Sequence, residues 1–342
     1  MRLIKSCMIL SLTLLAGTAI AQPAPQYTVT KTVPIGAPDN WDYVVYDSSM
    51  DRVYIGHSTE TTIVDANSGA IIGHFTGLNG AHGTAVASAS GRAFADSGKD
   101  PSVTAFDVKT FKPLGKVTTP EDTDGMTFDP SSGHVFTMNG DAGSASVIDP
   151  AKNALITNIN LDGKPEYAAA DGRGHVYANI EDKGQLAAID TKTNKVTAHW
   201  PMTGCTSPHG LAVDGPGRRV FSSCANGKLM VMNADTGVLV AALPIGMGTD
   251  SAAYDPSHHR IFSSNGGSGT LSVIVQNSPD SYAKPVEIPT THGARTMDVN
   301  TKTGRVYLVE AEYTEDNSIP ATDRRHFKVV PGSAKLVFLD PK

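Results

Sequence analysis

Short runs of alternating apolar and polar residues recur along the chain, and clusters of Gly, Pro, Asp and Asn separate them. A period of two residues is typical of β-strands, whereas an amphipathic helix repeats every 3.6 residues. One stretch illustrates the pattern, because four such runs follow one another at residues 210–214, 219–224, 228–232 and 238–244. The pattern therefore predicts an all-β chain of strands joined by short turns.

A pair made of a small or apolar residue and an aromatic residue marks each repeat of this pattern. The seven pairs are Val53-Tyr54, Ala93-Phe94, Val135-Phe136, Val176-Tyr177, Val220-Phe221, Ile261-Phe262 and Val306-Tyr307. Their aromatic residues lie 40 to 45 positions apart. Four short strands in a repeat of this length are typical of a β-propeller blade. We therefore predict an all-β, seven-bladed β-propeller with four antiparallel strands in each blade.

The repeats also divide the chain. We expect residues 22–342 to form a single domain, with blades at about residues 36–80, 81–121, 122–163, 164–204, 205–248, 249–292 and 293–342. An additional strand at about residues 27–35 precedes the first repeat, and the last repeat ends at its third strand. We expect this N-terminal strand to complete blade seven, because pairing the two ends closes the ring and removes an exposed sheet edge.

A second series of positions predicts the turns. An apolar residue followed by Asp or Asn recurs at Val64-Asp65, Phe106-Asp107, Ile148-Asp149, Ile189-Asp190, Met232-Asn233 and Leu339-Asp340. Asp and Asn side chains bond to backbone groups two residues further on, so most of these positions should open a turn. The sixth repeat departs from the pattern, with Val275 at this position.

The repeats resemble those of a known family. The resemblance rests on Phe128-Asp129-Pro130 to Val135-Phe136, on Tyr254-Asp255-Pro256 to Ile261-Phe262, and on Gly293-Ala294-Arg295-Thr296-Met297. These segments are similar to the exported YVTN-type (YncE-like) seven-bladed β-propellers, and the similarity spans nearly all of residues 22–342. It implies the propeller fold. Some members of the family are linked to nucleic acid or surface layers.

Ionisable residues occupy one position of every repeat. Counting back five residues from the end of each inner strand gives Asp42, His82, Asp124, Glu166, His209, Asp250 and Arg295. The inner strand of a blade starts at one face of the molecule, beside the central channel. We therefore expect these seven side chains to surround the mouth of the channel. A water-filled channel also tolerates polar side chains, but convergent polar groups in a concavity are the usual sign of a binding site.

Imidazole and carboxylate groups of this ring could hold a divalent metal ion, the one cofactor that the sequence suggests. His82 and His209 lie three blades apart, so we expect them to face each other across the channel, each with acidic neighbours. A His and carboxylate ligand set suits a divalent cation. The candidate metal ligands are His82, Asp124, His209 and Asp250.

The same ring contains the candidate catalytic residues. Glu166 or His209 could act as a general base, and Arg295 could stabilise developing negative charge. The sequence contains no Gly-x-Ser-x-Gly nucleophile motif. Aromatic residues flank the ring at Trp41, Tyr43 and Tyr167, where they could stack an organic ligand or fill the channel.

The N-terminal residues have the pattern of an export signal. Arg2 and Lys5 precede an apolar stretch at residues 8–16, and Ala19-Ile20-Ala21 matches a cleavage site, so we expect residues 1–21 to be removed. The mature protein would then be periplasmic or secreted, without a membrane span. Cys205 and Cys224 remain after cleavage, and in an oxidising compartment we expect them to form a disulfide.

Charge and loop length narrow the choice of partners. The formal net charge is −6 and Lys and Arg do not cluster, so we expect no nucleic-acid partner. A long polar segment at residues 312–331 interrupts the last blade and predicts a loop over one face.

Three functions remain open at this point. The first is a module that binds a small polar or cationic ligand, or a metal ion, at the channel mouth. The second is a metal-assisted hydrolase of the lactonase type that uses the same ring. The third is a scaffold that binds a periplasmic protein through one face or through the segment 312–331.

Overall fold

Seven small antiparallel sheets follow one another around a central channel, which confirms the predicted seven-bladed β-propeller. The structure is a computed structural model that describes residues 25–38, 40–320 and 326–342. The expected export signal lies outside the described residues. Inner strands of successive blades pack against one another, and the first inner strand also contacts the last. The described helical segments include two three-residue 3-10 turns, Ser88–Ser90 and Glu181–Lys183.

Blades two to five each contain four consecutive strands, as the repeat predicts. Blade two contains Thr84–Ala87, Arg92–Ser97, Ser102–Asp107 and Pro113–Thr118. Blade three contains Thr123–Asp129, His134–Asn139, Ser144–Asp149 and Ala154–Asn160. Blade four contains Pro165–Ala170, His175–Ile180, Gln185–Asp190 and Lys195–Pro201. Blade five contains Pro208–Asp214, Arg219–Cys224, Lys228–Asn233 and Leu239–Pro244.

Blades one and six depart from the four-strand pattern. Blade one contains Val44–Asp47, Arg52–Asp65 and Ile71–Ala81. Its 14-residue middle strand includes both the Val53-Tyr54 pair and the Val64-Asp65 turn position, which fall in successive strands elsewhere. Blade six contains Thr249–Asp255, Arg260–Asn265, Thr270–Ser278 and Val286–Pro289, with the short strand Ser281–Tyr282 added to the third.

The N-terminal strand closes the ring, as predicted from the sequence. Blade seven is built from Met297–Asn300, Arg305–Glu310, Lys335–Pro341 and Tyr27–Pro34. In the outer pairing, Val29 lies opposite Leu339 and Val33 opposite Leu336. The closing strand therefore covers the backbone edge that Lys335–Pro341 would otherwise expose.

Burial follows the position of a strand within its blade. In blade three, the second strand His134–Asn139 is buried at every residue but the first, whereas the outer strand Ala154–Asn160 is mostly exposed. The middle strands are covered on both sides by neighbouring blades, so both of their faces carry apolar or small residues. The core accordingly consists of apolar layers between adjacent blades.

The predicted turns form around their Asp and Asn residues. The Asp65 carboxylate accepts hydrogen bonds from the backbone N–H groups of Asn67 (3.2 Å) and Ser68 (2.7 Å). Gly69 then adopts a positive φ of 76°, a conformation that glycine takes without a steric penalty. In the divergent sixth repeat, the residue after Val275 is the buried Gln276, whose amide group reaches Asp214 of blade five at 3.1 Å.

Two further features complete the fold. Cys205 and Cys224 form the expected disulfide, with a Cα–Cα distance of 5.5 Å, and join the start of blade five to its second strand. The described parts of segment 312–331 include a two-stranded hairpin, Tyr313–Glu315 with Phe327–Val329. His292, which precedes the last inner strand, is exposed, and its ring lies 4.0 Å from that of Phe327 in this hairpin, tilted by 37°.

Across the described residues, no helix has the length and apolarity that crossing a membrane would require.

Candidate functional site

The seven ionisable residues of the sequence column lie where the inner strands begin. Asp124, Glu166, His209 and Asp250 fall within the first residues of their strands, and Asp42, His82 and Arg295 lie just before theirs. Glycine allows the strands to approach closely at this level. A Cβ on Gly210 would lie 2.3 Å from the backbone nitrogen of Ala252, so a larger residue would force blades five and six apart.

The first half of the ring forms a cluster of one imidazole and two carboxylates, Asp42, His82 and Asp124, which we call the first triad. One possible metal-ligand atom of each residue lies within 4.8 Å of the others. His82 Nδ1 and Asp124 Oδ1 lie 3.1 Å apart. Next to them, the buried Asp96 accepts hydrogen bonds from the backbone N–H groups of His82 (2.9 Å) and Gly83 (2.7 Å) and fixes the backbone that carries the imidazole.

The second half of the ring contains an analogous cluster, Glu166, His209 and Asp250, which we call the second triad. Here the polar atoms are paired. His209 Nδ1 bonds to Asp250 Oδ1 at 2.7 Å, and its Nε2 lies 3.3 Å from Glu181 Oε1. Arg295 donates from Nε to the other oxygen of Asp250 at 2.6 Å. His209 and Asp250 of the second triad are therefore part of a continuous chain of ion pairs from Glu181 to Arg295.

The two expected histidines belong to different triads. His82 lies with the carboxylates of blades one and three, and His209 with those of blades four and six. The pooled ligand set of His82, Asp124, His209 and Asp250 thus divides into two three-residue groups, and each group gains a carboxylate. The added residues are Asp42 in the first triad and Glu166 in the second.

The three aromatic residues have different positions. The Tyr43 hydroxyl donates to Glu166 on the opposite side of the channel at 3.1 Å, and its ring lies 4.7 Å from that of Tyr167. This pair fills the channel beneath the ring, which is one of the two roles expected for it. Trp41 differs from the expectation of a rim residue, because its side chain is 3% exposed and packs with Ile35 in the core between blades one and seven.

Burial raises the pKa of two carboxyl groups in the ring. The Asp42 pKa rises to about 7, mainly through burial and then through the nearby Asp124 charge. The Glu166 pKa rises to about 8 for the same reasons, in the same order. Burial would also raise the pKa of Asp250, but His209 and Arg295 outweigh it and hold that pKa below the ordinary value.

The two imidazoles also hold protons strongly. Burial alone would lower the pKa of His82, but the facing Asp124 carboxylate outweighs it and raises that pKa to about 10. For His209, the hydrogen bond to Asp250 likewise outweighs burial and raises the pKa to about 9. At neutral pH the ring therefore offsets its crowded carboxylates with bound protons and with the Arg295 cation.

Two cavities lie in the part of the channel away from the mouth that carries the ionisable ring. Below the tyrosine pair, one cavity of about 230 Å³ is lined by residues of six blades, including Tyr167 and Asp298. A second, of about 330 Å³, lies beside Tyr46 and Tyr167. In contrast, neighbouring side chains of the ring contact one another at 2.6–3.1 Å, a spacing that suits the ligands of an ion better than the walls of a pocket for a bulky organic molecule.

The sequence analysis did not predict two acidic residues that lie beside the ring. Glu181 lies in a 3-10 turn after the second strand of blade four, and Asp96 lies on the second strand of blade two. The sequence prediction compared equivalent positions of the inner strands only, whereas these two residues lie elsewhere in their blades and approach the ring through the folding of the blade. In the sequence, only their acidic side chains distinguished them as candidates.

The comparisons with known proteins define the class of this protein as a seven-bladed β-propeller with WD40-like structural neighbours. It is similar to hydrazine synthase of Kuenenia stuttgartiensis (TM-score 0.69, 13% identity, 86% of this chain and 96% of that chain). It is also similar to the WD40 repeats of RRP9 (TM-score 0.76, 10% identity, 92% and 100%) and to U3-55K (TM-score 0.73, 9% identity, 90% and 97%). Neither a family model nor a curated protein matches the chain.

Proposed function

We propose that this protein is an exported binding module of the YVTN type, and that the mouth of its channel binds a small cation. The observation that carries the proposal is the convergence of four carboxylates and two imidazoles at one end of the channel, above the tyrosine pair. Crowded carboxylates repel one another, and they either take up protons or bind a cation. A bound cation would replace the protons that the ring holds at neutral pH.

Export is the second part of the proposal. It rests on the pattern of residues 1–21. The disulfide between Cys205 and Cys224 fits the same compartment, because disulfides persist mainly in oxidising environments.

Binding explains the mouth better than base catalysis by the candidate residues. A general base must be unprotonated at the working pH. Glu166 has a pKa of about 8 and His209 one of about 9, so both groups hold protons at neutral pH. Arg295, the candidate charge stabiliser, is bonded to Asp250.

The test is a thermal-unfolding screen of the chelator-treated protein with Zn²⁺, Mg²⁺ and putrescine, and with citrate as an anion. We expect at least one cation to raise the unfolding midpoint, because a ligand at 100 times its Kd stabilises the native state by about 2.7 kcal/mol. Citrate should have no such effect.

Two variants with the same change of charge show whether the cation binds at the channel mouth. Asp124→Asn removes a carboxylate from the ring, and Asp100→Asn removes one from an exposed ion pair with Lys116. We expect the first to abolish most of the stabilisation by cations and the second to preserve it. Equal responses of the two variants, or no stabilisation of the wild type by any cation, would contradict the proposal.

A further inference from the structure

The two triads have the same ligand types but different hydrogen bonding. Each offers one imidazole nitrogen and two carboxylates whose ligand atoms lie within 4.8 Å of one another. In the second triad both nitrogens of His209 and both oxygens of Asp250 already have partners, namely each other, Glu181 and Arg295. A metal ion there would have to break several ion pairs.

The polar atoms of the first triad face only one another. His82 Nδ1 and Asp124 Oδ1 are both buried and form an ion pair without hydrogen-bond geometry, and neither atom makes a hydrogen bond to any other residue that the structure describes. Buried polar atoms in native proteins almost always have a partner, and exceptions call for an explanation such as an ion. The two atoms lie 3.1 Å apart, close to the separation of about 3.4 Å between two ligands of a tetrahedral zinc ion at about 2.1 Å.

The surroundings of the first triad also favour a cation. Asp96 is fully buried behind His82, and its Oδ2 has no partner among the described residues. Its Oδ1 accepts the backbone N–H groups of His82 and Gly83, which fixes the backbone from which the imidazole projects. The side chains of His82 and Asp124 are 26% and 18% exposed, so the first triad lies next to solvent although its facing atoms are buried.

We propose that the first triad binds one divalent transition-metal ion of the Zn²⁺ type, through His82 Nδ1 and the carboxylates of Asp42 and Asp124. Three protein ligands leave a fourth position for water or a ligand. The imidazole nitrogen favours Zn²⁺ over Mg²⁺ and Ca²⁺, which prefer oxygen ligands alone. The second triad does not bind a metal. This inference rests on the proposed cation site and narrows it to one triad and one class of ion.

The test uses the full-length protein, stripped with chelator, re-equilibrated with Zn²⁺ and dialysed, followed by elemental analysis and calorimetric titration. We expect one zinc ion per wild-type chain. His82→Gln should weaken zinc binding at least tenfold and leave no zinc after dialysis, and Asp42→Asn should weaken it in the same direction.

The matched control is His258→Gln. His258 also pairs with an Asp, through Nδ1 to Asp255 Oδ2 at 2.6 Å, but at the opposite end of its blade's inner strand. This variant should bind zinc as the wild type does. Thermal unfolding of every variant establishes that it is folded, and Asp42→Asn provides a second result if His82→Gln is unstable.

The outcomes separate this inference from the proposed function. Two zinc ions per wild-type chain, or one ion retained in His82→Gln, would assign metal binding elsewhere and overturn the inference. Binding of Mg²⁺ or putrescine without binding of Zn²⁺ would overturn the inference and leave the cation site intact. Failure of all three cations to bind would overturn both.

Discussion

Individual side chains at the mouth are held in place by buried polar residues of neighbouring strands. Asp96 accepts the backbone N–H groups of His82 and Gly83, and Asn179 of blade four donates to the backbone oxygen of His209 at 2.7 Å. Both supporting residues are fully buried. The imidazoles are thus fixed through their own backbones, which is how a rigid scaffold positions a binding site.

This arrangement predicts different effects for two substitutions of Asp96. Asp96→Ala leaves two buried N–H groups without an acceptor and should lower the free energy of unfolding by about 2–4 kcal/mol. Asp96→Asn keeps an acceptor oxygen for these N–H groups, and burial raises the pKa of Asp96 well above the ordinary value, which favours a neutral side chain at this position. The amide variant should therefore remain within about 1 kcal/mol of the wild type.

Urea unfolding of the two variants beside the wild type measures the difference. Equal destabilisation by Ala and Asn would show that the carboxyl group acts as a charge rather than as a hydrogen-bond acceptor.

At the scale of the strand, the sequence predicts most of what the structure contains. The aromatic of each repeat, from Tyr54 to Tyr307, is fully buried in the second strand of its blade, one of the two middle strands that neighbouring blades cover on both sides. The Asp turns could be predicted from the turn preferences of Asp and Asn, and the closing strand could be predicted from the number of strands in the last repeat. The ring of ionisable residues at the channel mouth could be predicted because each inner strand contributes one residue at the same position.

Features that depend on contacts between strands could not be predicted in this way. Glu181 reaches His209 from a turn, and Trp41 turns away from the ring into the core beside blade seven. The division into two triads depends on which neighbour each imidazole approaches. Distances of this kind are set by the packing of blades and not by the period of the repeat.

The N-terminal strand that closes the circle of blades yields a prediction of its own. Deleting residues 22–35 would expose the backbone edge of Lys335–Pro341 and the apolar residues that the strand covers, such as Leu336 and Leu339. Since an unpaired apolar edge promotes association between chains, we expect a lower unfolding midpoint and concentration-dependent aggregation.

The matched control deletes residues 22–24 and keeps the strand Tyr27–Pro34. Light scattering at several concentrations and thermal unfolding compare the two proteins. A deletion of residues 22–35 that stays monomeric with an unchanged midpoint would contradict the role of this strand.

At the scale of the whole molecule, the ring should make stability depend on pH. The native pKa values of His82 and His209, about 10 and 9, exceed the ordinary value of 6.5. Their contribution is complete below pH 6.5 and is lost as the pH rises through 9 and 10. The raised pKa values of Asp42 and Glu166, about 7 and 8, act in the same direction, because the native state keeps protons that the unfolded chain has released.

We therefore expect the unfolding midpoint of the metal-free protein to fall by several degrees between pH 6 and pH 10. A His82→Gln/His209→Gln variant should show a shallower decline between pH 7 and pH 10, and His258→Gln should follow the wild type. A midpoint that stays constant or rises with pH would show that the ring does not retain these protons.

The most direct test of the cation site is an anomalous-scattering map of crystals grown with zinc. We predict one strong peak at the channel mouth, bounded by Asp42, His82 and Asp124, about 2.0–2.2 Å from the His82 nitrogen and the carboxylate oxygens. A map without a peak at the mouth, or with its zinc on another surface of the protein, would contradict the account.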